Sequence, residues 1–251
     1  MKTFLTVVAA ATLFLSAAAF AHGGIVDLSV YDRTEGRRLP VYWHEGRAWI
    51  AGRPGNEYQV TLRSRQSQDV LAVVSVDGVN VITGQTADPT QSGYVLSPRG
   101  GLDILGWRKN LSQTAAFYFT ALPDSYAART GRPDNVGVIG VALFRRKVEP
   151  IPLPQPYGQV APSAAERRDS RNEAGSGARA MEDRLGTGHG RQENSPALHV
   201  TFERATSTPA EVITLYYDSY ANLLARGIVR DPLRAAPQPR PFPGFVPDPA
   251  G

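Results

Sequence analysis

The chain has 251 residues, 27 basic against 23 acidic side chains, a formal net charge of +4, and no cysteine. The absence of cysteine excludes disulfides and lipid attachment at a lipobox, so stability has to come from a core. The bases are nearly all arginine and are scattered, with no basic stripe interleaved with aromatics. That argues against a nucleic-acid surface and suits contacts with carboxylates or phosphates.

Lys2 forms a short positive start, and Phe4 to Phe20 is apolar apart from Thr6, Thr12 and Ser16. The run closes on Ala19-Phe20-Ala21, the small-x-small pattern of a signal-peptidase site. Residues 1–21 are therefore expected to be a cleavable signal peptide. It is too short and too alanine-rich for a membrane anchor, and the remainder is expected to be periplasmic or secreted.

Residues 22–147 read as one β domain. Strands are expected near Ile25–Tyr31, Pro40–His44, Arg47–Ala51, Tyr58–Arg63, Val70–Val76, Val79–Ile82, Gly93–Leu96, Leu102–Trp107, Thr114–Thr120 and Val136–Phe144. The Val70–Val76 run is apolar on both faces, which places it in the middle of a packed sheet. Asp77-Gly78 between two β-branched runs fits a type I′ hairpin turn, and the turn accounts for Asp77 without any catalytic role. No helical period interrupts these strands. The fold class that follows is a mainly β, antiparallel sandwich, with a jelly roll as one form of it.

Residues 148–195 open with Pro150, Pro152, Pro154 and Pro156 and continue rich in Arg, Glu, Gly and Ser. This composition predicts a flexible linker, with Leu185–Arg191 as an ordered loop at its end. In 196–231 the alternation of Leu198, Val200 and Phe202 predicts a half-buried strand. An amphipathic helix packed on the sandwich is expected next. Thr208 is its N-cap, Pro209 and Glu211 complete the start, Val212, Ile213, Tyr216, Tyr220, Leu223 and Leu224 form the apolar face, and Gly227 is the stop. Residues 232–251 form a Pro-rich tail with Phe242 and Phe245, read as an extended arm or a docking peptide.

Several long runs also carry a likeness: Val74–Gly84 (Val-Ser-Val-Asp-Gly-Val-Asn-Val-Ile-Thr-Gly), Gly93–Leu96, Gly106–Lys109, Ala116–Phe119, and Asp124–Arg132 through Asn135–Val141. On these the chain resembles a family of uncharacterised exported bacterial proteins. The resemblance covers roughly the β domain. It implies export but no chemistry, and no functional residue is carried over from it.

Three constellations can carry function. Cleavage after Ala21 makes His22 an N-terminal histidine, whose amine and ring nitrogens suit Cu(II), with His44, His189 or His199 as a second ligand. In this the start of the mature chain is similar to copper-dependent polysaccharide monooxygenases and periplasmic copper carriers. In the loop from Asp124 to Asn135, Arg129 or Arg132 can clamp a carboxylate or phosphate and Tyr126 can stack on a ring, against the plainer reading of turn caps and an ordinary ion pair. Trp107 and Arg108, with Tyr42, Trp43, His44 and Trp49, offer aromatics beside polar groups for a sugar, against the commoner fate of a strand tryptophan in the core.

No Gly-x-Ser-x-Gly elbow, His-Glu-x-x-His site or P-loop is present. The function expected is therefore a non-enzymatic β-sandwich binding module of the cell envelope, without a cofactor and without a stable membrane anchor after cleavage, whose partner is an envelope protein or glycan and not nucleic acid. The alternative is a copper-binding or redox protein built on His22.

Overall fold

The computed structural model describes residues 21–148 and 184–230. Residues 1–20, which hold all of the expected leader but Ala21, the proline run after Val148 and the tail from 231 lie outside the described residues.

Two sheets form. The first contains β1 (Ala21–His22), β2 (Val26–Asp32), β6 (Glu57–Ser64), β12 (Gln113–Ala121) and β11 (Gly106–Arg108) in that order. Its further strands are β3 (Arg37–Arg38) beside β2, β10 (Gly101–Ile104) beside β6 and β14 (Leu185–Asn194) beside β12. The second runs β4 (Tyr42–His44), β5 (Arg47–Gly52), β15 (Glu211–Ser219), β13 (Val138–Arg145), β7 (Val70–Val76) and β8 (Val79–Asn80), with β9 (Tyr94–Leu96) also on β7. The pairings are antiparallel except β5 with β15, which is parallel. The mainly β sandwich expected from the sequence is the observed architecture, with one parallel pair inside it.

The period-two alternation of strands explains the packing. From the first sheet Leu28, Val30, Tyr58, Val60, Leu62, Phe117 and Phe119 point inward, and from the second Ile50, Val74, Val76, Ile139, Val141, Leu143 and Leu215; all belong to one buried cluster. On β7 the other face is buried too: Leu71 and Val73 join Ala142, Phe144 and Phe202 in a separate cluster on the outside of the second sheet. The run that is apolar on both faces is thus covered on both faces.

The Asp77-Gly78 turn is formed as expected. Asp77 has φ 53° and Gly78 φ 71°, and Val76 pairs with Val79 across it. Positive φ at both central positions is what a type I′ turn requires, and an Asp-Gly pair adopts it at little cost.

The segment 208–227 is corrected. Glu211–Ser219 is a strand, and helix α2 is confined to Tyr220–Ala225, capped by Ser219, whose Oγ accepts from the Asn222 amide at 3.2 Å. The local capping signals at Thr208–Glu211 lose to tertiary pairing. Val212, Ile213, Thr214, Tyr216 and Tyr217 are β-branched or aromatic, and as a strand the segment pairs with β13 on one side and β5 on the other. Ile213, Leu215 and Tyr217 then enter the core. Gly227, at φ 70°, ends the helix as expected.

The linker boundary is corrected at its C-terminal end, where Leu185–Asn194 pairs with β12 along its length. The Gly-x-Gly-x-Gly spacing that looked like a loop serves close approach. A Cβ on Gly188 would sit 2.2 Å from Cζ of Tyr118, whose ring lies across it, and one on Gly190 2.8 Å from the Ala116 carbonyl oxygen. The strand expected at Leu198–Glu203 is not formed. That stretch crosses the second sheet with Leu198 and Val200 exposed, at 89% and 63%, and only Phe202 turned to the sheet.

Candidate functional site

Two polar regions stand out, one inside the sandwich and one outside it.

Inside, the Asp77 side chain leaves its turn and enters the core. Its Oδ1 accepts from the Tyr217 hydroxyl at 2.5 Å and the Gly137 amide at 2.9 Å, and its Oδ2 from the Thr187 amide at 2.8 Å. The Thr187 hydroxyl joins Tyr217 at 2.7 Å and Tyr58 at 2.6 Å. Tyr58 and Thr187 belong to the first sheet, Tyr217 and Asp77 to the second, so the network ties the layers together. Burial raises the Asp77 carboxyl from 3.8 to about 6, against the lowering effect of its donors, and pushes both tyrosines well above their usual value. Each side-chain oxygen in this network has a partner within the protein, which fits a structural hub.

The residues named from sequence are distributed as follows. Trp107 is 3% exposed; its indole donates to the Gly188 carbonyl at 3.1 Å and it meets Phe117 edge-on, so it belongs to the core. Arg108 is a pin: its Nε donates to the Tyr94 hydroxyl, its Nη2 to the Ser195 Oγ and its Nη1 to the Ser195 carbonyl, which fixes the chain as it leaves β14. Tyr126 opens the short helix α1 (Tyr126–Arg129) and lies 4.8 Å from the Trp107 ring and 5.6 Å from that of His189. Arg129 is exposed in the last turn of α1. Arg132 donates to the Gly84 carbonyl at 3.0 Å and to Thr130. Trp107, Tyr126 and His189 therefore come together at one end of the sandwich, with the charges of Lys109 and Arg129 bearing on His189. Burial first, then those two cations, holds its imidazole below the usual value.

Three of the four histidines offered for copper stand on strands. The His22 backbone pairs with Asp27 in β1, His44 lies in β4 with its Nε2 3.9 Å from the Glu45 carboxylate, and His189 faces Tyr126 from β14; His199 is exposed in the crossing segment. Among the described residues no group of three or more His, Asp or Glu side chains is placed to hold a metal ion.

The outer region begins with the parallel pair. Alternation turns Arg47 and Trp49 of β5 and Tyr216 and Asp218 of β15 to the outside of the second sheet, and the register sets Trp49 opposite Tyr216. Their rings stack at 4.9 Å. The Arg47 guanidinium lies 5.5 Å from the Tyr216 ring, and that of Arg226, which follows α2, lies 4.3 Å over Trp49. Leu223 of α2 and Ile228 and Val229 after it close over Trp49 and leave it 6% exposed. Asp218 is held within the fold: its Oδ1 accepts from Asn222 and from the Ser219 amide, both at 2.8 Å, and its Oδ2 lies 3.6 Å from Arg226.

Beside this stack is a cavity of about 500 Å³, lined among others by Arg47, Trp49, Asp134, Asn135, Tyr216 and Arg226. Its size is that of a pocket for a small ligand. One feature separates it from the interior network. The Trp49 Nε1–H is buried and has no acceptor among the described residues, and a buried donor without a partner costs on the order of 1–3 kcal/mol.

Sequence reading reached Trp49 as one aromatic among several and missed Arg47, Tyr216 and Arg226. The available signal was alternation, Arg47-x-Trp49 and Tyr216-x-Asp218, each placing two polar or aromatic side chains on one strand face. It was hidden by the helix assigned to 208–227.

The class defined by fold and site is a mixed β-sandwich with a cation- and aromatic-lined cavity on the outside of one sheet. Compared with protein-family models, with curated proteins and with solved structures, the chain matches none.

Proposed function

We propose that the chain is an exported, non-enzymatic binding module of the cell envelope, periplasmic or secreted once its leader is removed, and that it holds a glycan or protein partner at the outer face of its second sheet. The observation that carries this reading is the cavity beside Trp49. A rigid sheet presents two arginines over stacked aromatic rings, next to a buried indole donor that no described residue satisfies. Both strands that bear the site are sheet interior, with β5 between β4 and β15 and β15 between β5 and β13. Trp49 and Tyr216, stacked on each other, are thereby held in place before any ligand arrives, which lowers the entropy lost on binding.

The reading is tested by immobilising the full-length secreted form and passing envelope extract and a glycan array over it. Retention of a defined component, diminished in Arg226→Gln, is expected. Equal retention by wild type and Arg226→Gln, or none by either, would remove the cavity as the binding site.

A further inference from the structure

Resting on that reading, we infer that the ligand of the Trp49 cavity is an acidic saccharide, a hexuronate-type sugar whose carboxylate is held by Arg47 and Arg226.

The charge argument comes first. The cavity is lined by Arg47, Arg184 and Arg226 against Asp134 and Asp218. Asp218 is already committed to Asn222, the Ser219 amide and Arg226. Among the described residues Arg47 meets only the Tyr216 ring, and Arg226 shares its 3.6 Å ion pair with a position over Trp49. A guanidinium resting on an aromatic face keeps its donors pointing outward, and a carboxylate is the group that takes two of them at once. The same carboxylate belongs to the one class of partner that the Trp49 indole N–H lacks. The Arg226 side chain is 48% exposed, and its turning toward an anion would open the Trp49 face that it covers.

The rest of the lining decides what carries the carboxylate. One way to hold an extended acidic peptide, strand addition, needs a free sheet edge. No edge is offered here, because β5 and β15 are hydrogen-bonded on both sides. The remaining wall holds the Asp134 and Asn135 side chains, both exposed. Carboxylate and amide groups side by side supply the acceptors and donors that hydroxyls of a sugar ring require. The half-buried Tyr216 ring supplies an apolar surface that a pyranose face tolerates and a charged peptide side chain does not need.

The test is titration of the full-length secreted form, at low ionic strength, with short oligogalacturonate as the acidic probe. Its methyl ester serves as the neutral isostere and a Glu-rich peptide as the rival anion. Trp fluorescence and calorimetry are read together. Saturable binding of oligogalacturonate is expected, weakened about tenfold or more by esterification and by Arg47→Gln or Arg226→Gln. Arg129→Gln, at an exposed arginine outside the cavity lining, should leave it unchanged. Arg47 is exposed, so its variant folds normally and keeps the test clean. Equal binding of acid and ester, or no binding of either, overturns the carboxylate inference. In the first case the binding-module reading stands, since the site still holds sugar. Tighter binding of the Glu-rich peptide overturns the saccharide assignment. Loss of binding in Arg129→Gln rather than Arg47→Gln places the site at the Tyr126 end and overturns both the inference and the reading it rests on.

Discussion

The Asp77 network and the Trp49 cavity both combine a carboxylate with tyrosine, yet they differ in how their hydrogen bonds close. Around Asp77 each hydroxyl and carboxylate oxygen meets a protein partner across the two sheets. Around Trp49 an indole donor has none among the described residues, and the guanidinium groups of Arg47 and Arg226 lie on rings. A closed network stabilises a fold, whereas an open one leaves free energy to be gained from a ligand. Substitutions in the first region should therefore act on stability and leave binding alone, and those in the second should do the reverse.

The largest effect is expected at Asp77. Asp77→Ala strands the Gly137 and Thr187 amides and the Tyr217 hydroxyl without an acceptor and should lower stability by roughly 3 kcal/mol at pH 5 in urea unfolding. A loss under about 1 kcal/mol would mean that water or rearrangement replaces the carboxylate, and the contrast with the cavity would fail.

Asp77→Asn separates the hub from the turn, because Asn-Gly also adopts the type I′ conformation. The folded-state value of about 6 lies above the unfolded 3.8. The contribution of this group is thus complete below pH 3.8 and is lost as pH rises through 6. The stability of wild type relative to Asp77→Asn should fall by up to about 3 kcal/mol between pH 3.5 and 7. A relative stability that grows with pH would show that the donors outweigh burial.

Tyr217→Phe removes the donor to Asp77 and one partner of Thr187, for a cost of about 1–2 kcal/mol, and Tyr58→Phe should cost less because Thr187 keeps Tyr217. Thermal melts at one pH rank the two, and the reverse order would put the weight of the network on the first sheet. The smallest effect on stability, within about 0.5 kcal/mol, is expected for Arg47→Gln, even though that variant should lose ligand.

Much of the frame is legible in the sequence because it is local. β7 reads as a strand covered on both faces because Val70–Val76 is apolar at every position but Ser75, and the Asp77-Gly78 turn is written in two residues. The hub on that turn is not legible, since its partners Gly137, Thr187 and Tyr217 stand 60, 110 and 140 positions away. β15 fails for a related reason. Thr208-Pro209-Ala210-Glu211 is a sound helix start taken alone, and only the presence of β13 and β5 on either side makes the strand win. The bland reading of Trp107 as core is the one the structure supports, while the Trp49 cavity depended on the parallel pairing that the helix assignment concealed.

The most direct measurement is the ¹H–¹⁵N spectrum of the three tryptophan indoles during titration with oligogalacturonate. The Trp49 Nε1–H should begin with the chemical shift of an unbonded donor and move to that of a hydrogen-bonded one as the ligand saturates. The Trp107 signal, already bonded to the Gly188 carbonyl, should stay in place. A Trp49 signal that is bonded at the outset, or that does not move while the ligand binds, would contradict the account.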